Sequence, residues 1–172
     1  MRADDGWQVY TADHLALLDH LGIERCHVLG GCIGGSYCLG LMCAAPDRVA
    51  AAVLQQPIGR SGENQQAFYQ MFDGWAADLG RGRPEVTEDI WRSFRSHMYD
   101  GDFVFNVSPD FVRGCQIPML VLLGNDLYHP SETSLEIARL APNAELVERW
   151  KEPEVVADAV QQVRGFLRRH TP

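Results

Sequence analysis

A cysteine set among glycines is the first feature of this sequence that could do chemistry. Cys32 stands in the segment GGCIGG, residues 30–35, directly after an apolar run. Gly30, Cys32 and Gly34 fit the pattern small-x-nucleophile-x-small, which is typical of a sharp turn between a strand and a helix. Such a turn strains the backbone of the nucleophile and needs small residues two positions away on either side. It also places the thiol at a helix N-terminus, where the helix dipole favours the thiolate.

The same glycines do not fit a phosphate-binding loop. A P-loop needs a lysine before its Ser or Thr, whereas Gly35 precedes Ser36 here, and the four glycines do not give the spacing G-x-G-x-x-G. Two interpretations of Cys32 therefore stay open. It is either a nucleophile at a turn or a small buried residue, which is what most free cysteines are.

The composition indicates one acidic globular domain. With 172 residues and 46% hydrophobic content, the chain is long enough for a core of its own. A net charge of -8 with scattered basic residues argues against a nucleic-acid surface. The five cysteines include no CxxC pair and no zinc-like spacing with histidine, so neither a metal nor another cofactor is expected. An odd number of cysteines without a signal-peptide pattern predicts free thiols in a reducing cytoplasm.

One long uncharged segment raises the question of a membrane span. Residues 26–45 contain no Asp, Glu, Lys or Arg over the length that a spanning helix needs. The segment also holds five glycines, a histidine and a serine, and polar sequence closes in on both sides. A strand, a tight turn and a buried helix account for it better, so no membrane association is expected.

Apolar runs alternate with amphipathic segments along the chain. A first helix is predicted with Thr11 as its N-cap and Gly22 as its stop, and a last helix is predicted to begin at Pro153. The apolar face of that last helix is predicted to comprise Val156, Val160, Val163 and Leu167. Four apolar runs predict strands: CHVLGG, VAAAVLQQP, PMLVLLG and AELVERW. This alternation predicts an α/β fold, a parallel sheet flanked by helices, with a ligand site at the carboxyl ends of the strands.

Over nearly its whole length the sequence resembles the α/β-hydrolase family. The segment LLDHLGIERCHVLGGCIGG resembles that family's helix, strand and nucleophile turn, and APDRVAAAVL resembles the following helix end and strand. IPMLVLLGNDLYHP resembles the strand and loop that carry the catalytic acid, and LAPNAELVE the approach to the last strand. The resemblance implies that Cys32 is the nucleophile, that the backbone N–H of Ile33 helps to hold the oxyanion, and that Asp126 is the acid. Residues 58–114 take the place of the family's helical cap, within a single domain of residues 1–172.

The sequence departs from the family pattern at four points. Cysteine replaces the usual serine, as in dienelactone-hydrolase-like members, and Gly124 lies one residue closer to Asp126 than is common. No histidine follows the last strand, because ERWKEPEVV leads directly into the last helix. The family's first strands, and the loop with the second oxyanion N–H, are missing. The resemblance therefore implies a partial α/β-hydrolase fold that lacks the first strands and carries a helical cap-like insertion.

The catalytic base has to be sought elsewhere in the sequence. His129 lies three residues after Asp126 in the same loop and is the candidate for a displaced base, with a purely structural role as the alternative. His97, in the cap-like segment, is a second candidate that could face the pocket. Ser36 is interpreted as part of the first helical turn and not as an alternative nucleophile. The remaining four cysteines are interpreted as core residues: Cys26, Cys38, Cys43 and Cys115.

The leading functional prediction is a cysteine-nucleophile hydrolase that attacks an ester, lactone or thioester of a small, fairly apolar substrate. The aromatic and Met residues of segment 58–114 would form the apolar pocket. The alternatives are a non-catalytic hydrolase-fold protein that binds a ligand or partner, favoured by the missing histidine, and a truncated gene product. The strand CHVLGG would be an uncharged, exposed edge, so a homo-oligomer or a separate N-terminal segment is the expected partner.

Overall fold

Strands and helices alternate along the chain in the computed structural model, which describes residues 2, 4–62 and 64–171. The helices are α1 (Trp7–His20), α2 (Ile33–Ala44), α3 (Gln65–Gly80), α4 (Glu88–Tyr99), α5 (Pro109–Gly114), α6 (Ser131–Leu140) and α7 (Val156–Arg169). The strands are β1 (Cys26–Gly31), β2 (Val49–Gln55), β3 (Met119–Leu122) and β4 (Ala144–Val147). A short 3-10 helix, Pro46–Arg48, precedes β2.

The four strands form one parallel sheet in the order β1-β2-β3-β4. Leu29 of β1 lies beside Val53 of β2, and Leu54 of β2 lies beside Val121 of β3. Parallel neighbours need a crossover between them, which the intervening helices supply. The predicted fold class is therefore confirmed, and β1 and β4 are the two edges of the sheet.

Both faces of the two central strands are buried under helices. Alternate residues of β2, such as Ala52 and Leu54, belong to an apolar cluster with α2 and α6. Their neighbours Ala51 and Val53 contact a second cluster around Phe166 of α7. Because each face has a helical cover, β2 is an unbroken apolar run rather than an alternating one.

The segment 58–114 contains α3, α4 and α5, and it packs on the side of the molecule that carries α1. Phe68 and other aromatic residues of α3 and α4 form one apolar cluster with Trp7, whose Nε1–H donates to the carbonyl of Met98 at 3.0 Å. The buried Ser36 hydroxyl donates to the carbonyl of Val104 at 2.9 Å and so ties α2 to the same segment. The assignment of residues 58–114 to a cap-like insertion within a single domain stays a prediction.

The first helix begins earlier than the sequence predicts. It starts at Trp7 and not after Thr11, whose hydroxyl instead donates to the carbonyl of Trp7 at 3.3 Å inside the helix. The N-cap interpretation was wrong because a Thr hydroxyl can bond the preceding turn as well as cap a new one. The stop at Gly22 is confirmed, since this residue has a positive φ of 64° just beyond the helix.

The last helix also differs from its prediction in both its start and its face. It starts at Val156, three residues after Pro153, and Val156 and Val160 are 45% and 43% exposed. Val163 and Leu167 of the predicted face do pack against the sheet cluster, together with Phe166, and Ala159 is buried. The predicted face is therefore right for Val163 and Leu167 and wrong for Val156 and Val160, because the sheet buries the side of the helix that holds the large aromatic ring.

The described helices bear on the question of a membrane span. Within residues 2, 4–62 and 64–171, no helix combines the length and the apolar character needed to cross a membrane. The uncharged segment 26–45 is divided between β1 and α2.

Truncating Phe166 tests which stripe of α7 holds the helix on the sheet. Phe166 is fully buried, so we expect Phe166→Ala to lower the free energy of unfolding by about 3–5 kcal/mol. Val160→Ala on the exposed stripe is the matched control and should change it by less than about 0.5 kcal/mol. Urea denaturation measures both, and an equal effect of the two substitutions would contradict the assigned face.

Candidate active site

The turn between β1 and α2 holds Cys32 in a strained backbone conformation. Its φ is 57° and its ψ is -124°, a region that residues with a side chain rarely adopt. The N–H of Cys32 donates to the carbonyl of Gln55 at 3.0 Å. Its carbonyl accepts from the N–H groups of Gly35 at 3.0 Å and Ile58 at 3.3 Å. The predicted strain is present, and bonds to β2 and to the loop that follows β2 fix it.

Close approach of α2 to β1 explains only part of the glycine pattern. A Cβ on Gly30 would lie 2.1 Å from the carbonyl oxygen of Gly34 and 2.8 Å from Sγ of Cys38, so a side chain is excluded. Gly34 itself has open space where its Cβ would be, which contradicts the predicted need for a small residue there. The second constrained position is Gly35, whose Cβ would lie 2.8 Å from Cβ of Pro57.

The start of α2 exposes a backbone donor beside the thiol. Ile33 is the first residue of the helix, so its N–H belongs to the first turn, where no intrahelical acceptor exists. No acidic side chain lies in this first turn to oppose an anion. Ile33 therefore occupies the position that the resemblance implies for an oxyanion donor.

Asp126 and His129 form a hydrogen-bonded pair in the loop after β3. Nδ1 of His129 lies 2.7 Å from Oδ1 of Asp126, which also accepts the N–H groups of Tyr128 and His129 at 3.0 Å each. An ionised carboxylate can only accept, so Nδ1 carries the proton of this bond. The two residues that the sequence proposed as acid and base are thus in direct contact.

Buried groups around this loop hold the pair in place. The absence of a side chain at Gly124 is required, because its Cβ would lie 2.8 Å from Cβ of His129. The N–H of Gly124 donates to the hydroxyl of buried Ser134 at 3.0 Å. Asn64, fully buried at the start of α3, donates to the carbonyl of Leu127 at 2.9 Å. Asn64 was not singled out from the sequence, since a loop asparagine gives no sign of a distant partner.

The hydrogen bonds of the pair favour the ionised form of the Asp126 carboxyl. Partial burial pulls the pKa of Asp126 upward, but hydrogen bonds from the His129 side chain and backbone outweigh it and lower the pKa below its ordinary value. The His129 side chain is 12% exposed, and its Nε2 is buried without a hydrogen-bond partner. With the proton on Nδ1, Nε2 presents a lone pair that can accept a proton.

The thiol and the imidazole are not joined. Among residues 2, 4–62 and 64–171, no hydrogen bond links Sγ of Cys32 to His129. Cys32 and Tyr128, the neighbour of His129, instead pack against the same apolar cluster around Phe68. The structure therefore brings two of the three predicted side chains into contact and does not bond either of them to the nucleophile.

The other candidate histidine is engaged at the start of the chain. Nδ1 of His97 lies 3.2 Å from the carbonyl of Asp5, ahead of α1. His97 is also not among the residues that line the aromatic cavity beside Ile33, so it does not face the pocket as the sequence had allowed. Ser36 lies in the first turn of α2, as predicted, since this helix begins at Ile33. Its buried hydroxyl donates to the carbonyl of Val104.

This aromatic cavity has a volume of about 310 Å³ and lies beside Ile33. It therefore adjoins the turn at Cys32 between β1 and α2, which is called the elbow from here on. Burial raises the pKa of Tyr99 to about 12, and the nearby charges of Cys32 and Tyr10 add to the shift. Tyr99 therefore stays protonated at neutral pH beside the thiol. The cavity is lined by Tyr10, Ile33, Tyr37, Met71, Phe72, Trp75, Phe94, Met98 and Tyr99. The predicted pocket of aromatic and Met residues is thus present next to the residue that follows Cys32.

The loop after β4 brings a cation, not a histidine, to the carboxyl edge of the sheet. Nζ of Lys151 lies 2.6 Å from Oδ1 of Asn125 and 3.5 Å from Oε1 of Gln56. Lys151 is the only lysine of the sequence, and it lies where the resemblance implies the missing histidine. A single lysine placed directly after the last strand could have pointed to Lys151 from the sequence, but the prediction did not include this residue.

The remaining thiols differ from one another. Burial raises the pKa of Cys38 to about 12 and also raises the pKa of Cys115. These two are core residues, as predicted, and Cys26 is half-buried. Cys43 is exposed near the end of α2, so its interpretation as a core residue was wrong. Its apolar neighbours in the sequence belong to the buried side of the helix, whereas Cys43 lies on the open side.

Comparison with known proteins identifies the fold. The family model described as alpha/beta hydrolase fold matches residues 3–87. A search of curated proteins finds no match. A meta-cleavage product hydrolase from Pseudomonas fluorescens IP01 superposes with a TM-score of 0.67 at 19% identity, covering 98% of this chain and 74% of that one.

Two further solved structures give the same picture. A putative non-heme bromoperoxidase, BpoC, from Mycobacterium tuberculosis H37Rv has a TM-score of 0.69 at 20% identity, covering 95% of this chain and 75% of that one. Est816, described as an N-acyl homoserine lactone degrading enzyme, has a TM-score of 0.63 at 24% identity, covering 94% and 74%. This chain is an α/β-hydrolase-fold protein that spans about three quarters of the length of these relatives.

A pair of glycine substitutions tests the geometry of the elbow. We expect Gly30→Ala to lower the free energy of unfolding by about 3 kcal/mol, because its methyl group would collide with a backbone carbonyl. Gly34→Ala has open space and lies in a helix, so it should be neutral or stabilise by up to about 1 kcal/mol. Thermal or urea unfolding measures both, and a stable Gly30→Ala variant would show that α2 does not contact β1 as described.

Proposed function

We propose that this protein is a hydrolase in which Cys32 attacks the carbonyl carbon of an ester, thioester or lactone. The strained backbone of Cys32 is the observation that carries the proposal. Glycine would adopt a φ of 57° without strain, yet a thiol occupies this position. Strain of this kind is retained where a side chain has to be presented at a fixed angle.

The first chemical step is acyl transfer to the thiol. The thiolate of Cys32 forms a bond to the carbonyl carbon, and the negative charge moves to the carbonyl oxygen. The N–H of Ile33 donates to this oxyanion, and an oxyanion donor of this kind is worth about 2.7–4 kcal/mol. The tetrahedral species collapses when the bond to the leaving group breaks, which leaves a thioester on Cys32. The departing alkoxide or thiolate takes a proton from solvent.

Water completes the cycle by hydrolysing the thioester. Nε2 of His129 takes a proton from water, and Asp126 stabilises the imidazolium that forms. The hydroxide attacks the thioester carbon, the carbon–sulfur bond breaks, and the carboxylic acid leaves. Cys32 returns as the thiolate, and the imidazolium of His129 releases its proton to solvent. The proposal requires water to bridge His129 and the acyl group, since imidazole and thiol are not hydrogen-bonded to each other.

The substrate class follows from the cavity beside Ile33. Its aromatic and thioether lining suits a small acyl group with an apolar, flat body and excludes a charged one. Among the similar structures, Est816 is described as degrading N-acyl homoserine lactones, which supports lactones as one substrate class to test.

A second candidate function is ligand binding without turnover. The observation that favours it is the lack of a hydrogen bond between the Cys32 thiol and a base among the described residues. In that case the same aromatic cavity binds a small apolar ligand, and Cys32 only packs against the adjoining apolar cluster.

Alkylation rates test whether Cys32 is an activated thiol. Cys32 and Cys43 lie at opposite ends of α2. A helix dipole stabilises an anion at the N-terminal end and destabilises one at the C-terminal end. We expect iodoacetamide to modify Cys32 roughly three- to thirty-fold faster than Cys43 at neutral pH, although Cys43 is the more exposed. Peptide mapping by mass spectrometry measures both sites in one sample. A faster Cys43 would remove the support for an activated nucleophile.

Turnover of an activated ester such as p-nitrophenyl butyrate tests the catalytic assignment. Cys32→Ala should abolish turnover, because the bond-forming atom is removed. His129→Ala should slow steady-state turnover by about hundredfold and make the acyl-enzyme accumulate, since general base catalysis of deacylation is lost. His97→Ala, which removes a histidine that faces Asp5, is the control and should retain the wild-type rate.

The outcomes separate the two candidate functions. Turnover that survives Cys32→Ala would exclude Cys32 as the nucleophile. A wild-type protein that binds the ester but releases no p-nitrophenol would favour the ligand-binding function. A wild-type rate in His129→Ala would leave the nucleophile in place and exclude His129 as its base.

A further inference from the structure

The edge strand β1 is as apolar and uncharged as an interior strand, but most of its residues are exposed to solvent at least in part. β2 beside it is buried over six consecutive residues, whereas five of the six residues of β1 are half-buried or exposed. Leu29 is 58% exposed, although its partner Val53 is fully buried. The apolar cluster around Phe166 of α7 includes residues of β2, β3 and β4 but none of β1. Within residues 2, 4–62 and 64–171, no strand pairs with the outer side of β1, and Leu29 is uncovered there.

An apolar groove continues this surface onto α1. The groove has a volume of about 280 Å³, and its wall includes Leu17, Leu18, Val28, Leu29 and Tyr37. Leu17 of α1 is 55% exposed. The open space at Gly34 lies in the same groove. The open edge is thus flanked by apolar side chains and has room for those of a neighbour.

The opposite edge of the sheet is protected in a way that β1 is not. Glu145 lies in the middle of β4 and forms a bidentate ion pair with Arg169 of α7, at 2.6 and 2.8 Å. A charge in an edge strand opposes pairing with another strand, because the incoming strand would have to desolvate it. No residue of β1, Cys26–Gly31, carries a formal charge when its histidine is neutral. The two edges differ in the one property that controls edge-to-edge pairing.

We propose that β1 pairs antiparallel with β1 of a second copy of this chain around a two-fold axis, and that the product is a dimer. A two-fold axis brings the same uncharged strand and the same leucine-lined groove to both sides of the contact. The net charge of -8 makes two copies repel over most of their surfaces, but β1 against β1 brings no like charges together. Pairing through β4 would instead place one Glu145 near the other.

Charge also explains why the assembly stops at two copies. Pairing through β1 joins the two four-stranded sheets into one continuous sheet. Both outer edges of that sheet are then β4 strands, each with its Glu145–Arg169 ion pair. The charges on these two outer edges oppose pairing with a further strand, so the assembly is closed at two copies. This inference depends on the sheet edges alone and not on the proposed catalysis.

The oligomeric state and one charged substitution test the proposal. Size-exclusion chromatography with light scattering at micromolar concentration should give about twice the 19.2 kDa mass of the chain. Leu29→Lys places a charge on the pairing strand and should give a monomer. Leu135→Lys changes a leucine of α6 that is 46% exposed, and this matched control should remain a dimer.

A second variant guards against misfolding of the sheet. Leu17→Lys lies on α1, outside the sheet, and should also give a monomer with an unchanged circular dichroism spectrum. In the dimer, hydrogen exchange of the β1 amides should slow as protein concentration rises. A wild-type monomer, a Leu17→Lys variant that stays dimeric, or assemblies larger than a dimer would each overturn the proposal.

Discussion

The contact between the backbones of β1 and α2 is the constraint on which the rest of the site depends. Gly30 and Gly34 approach so closely that a single methyl group on Gly30 would meet a carbonyl oxygen at 2.1 Å. This approach forces the chain to turn within one residue, and Cys32 is that residue. The strain is maintained because Gln55 and Ile58 hold the backbone of Cys32 from the side of β2. The position of the thiol, the first-turn N–H of Ile33 and the wall of the aromatic cavity all follow from this contact.

Asp126 and His129, the proposed acid and base, form a local unit that is separate from the last strand. Asp126 and His129 are three residues apart, and the same carboxylate oxygen accepts both the imidazole N–H and two backbone N–H groups. A base supplied by the loop after β4 would depend on the position of α7. Here the dyad depends instead on Gly124, Ser134 and Asn64, which hold the β3 loop. The loop after β4 contributes Lys151 instead, which donates a hydrogen bond to Asn125.

The sequence predicted the elements whose signal is local and missed the features that depend on distant partners. All four strands were found because a short, continuous apolar run in a chain of alternating elements is typical of a strand covered on both faces. The elbow and the pairing of Asp126 with His129 were found because each lies within a few residues. The predicted face of α7 was wrong at Val156 and Val160, because only the sheet decides that Phe166 is buried in their place beside Val163 and Leu167. Gly34, Cys43 and Asn64 were misjudged or overlooked for the same reason, since their role depends on what another element places beside them.

A thiol suits this arrangement better than a hydroxyl would. A serine needs a hydrogen-bonded base to become a nucleophile, and no imidazole bonds the side chain at position 32 within the described residues. An ordinary thiol is already ionised to about a few per cent at neutral pH, and a helix N-terminus raises that fraction. In the proposed function, Cys32 can therefore attack the substrate without a bond to His129, and His129 is needed only when water attacks the thioester. Under the proposed function, the two unusual features of the site are therefore connected. Because Cys32 does not need a hydrogen-bonded base in order to attack, the histidine can lie in the loop after β3.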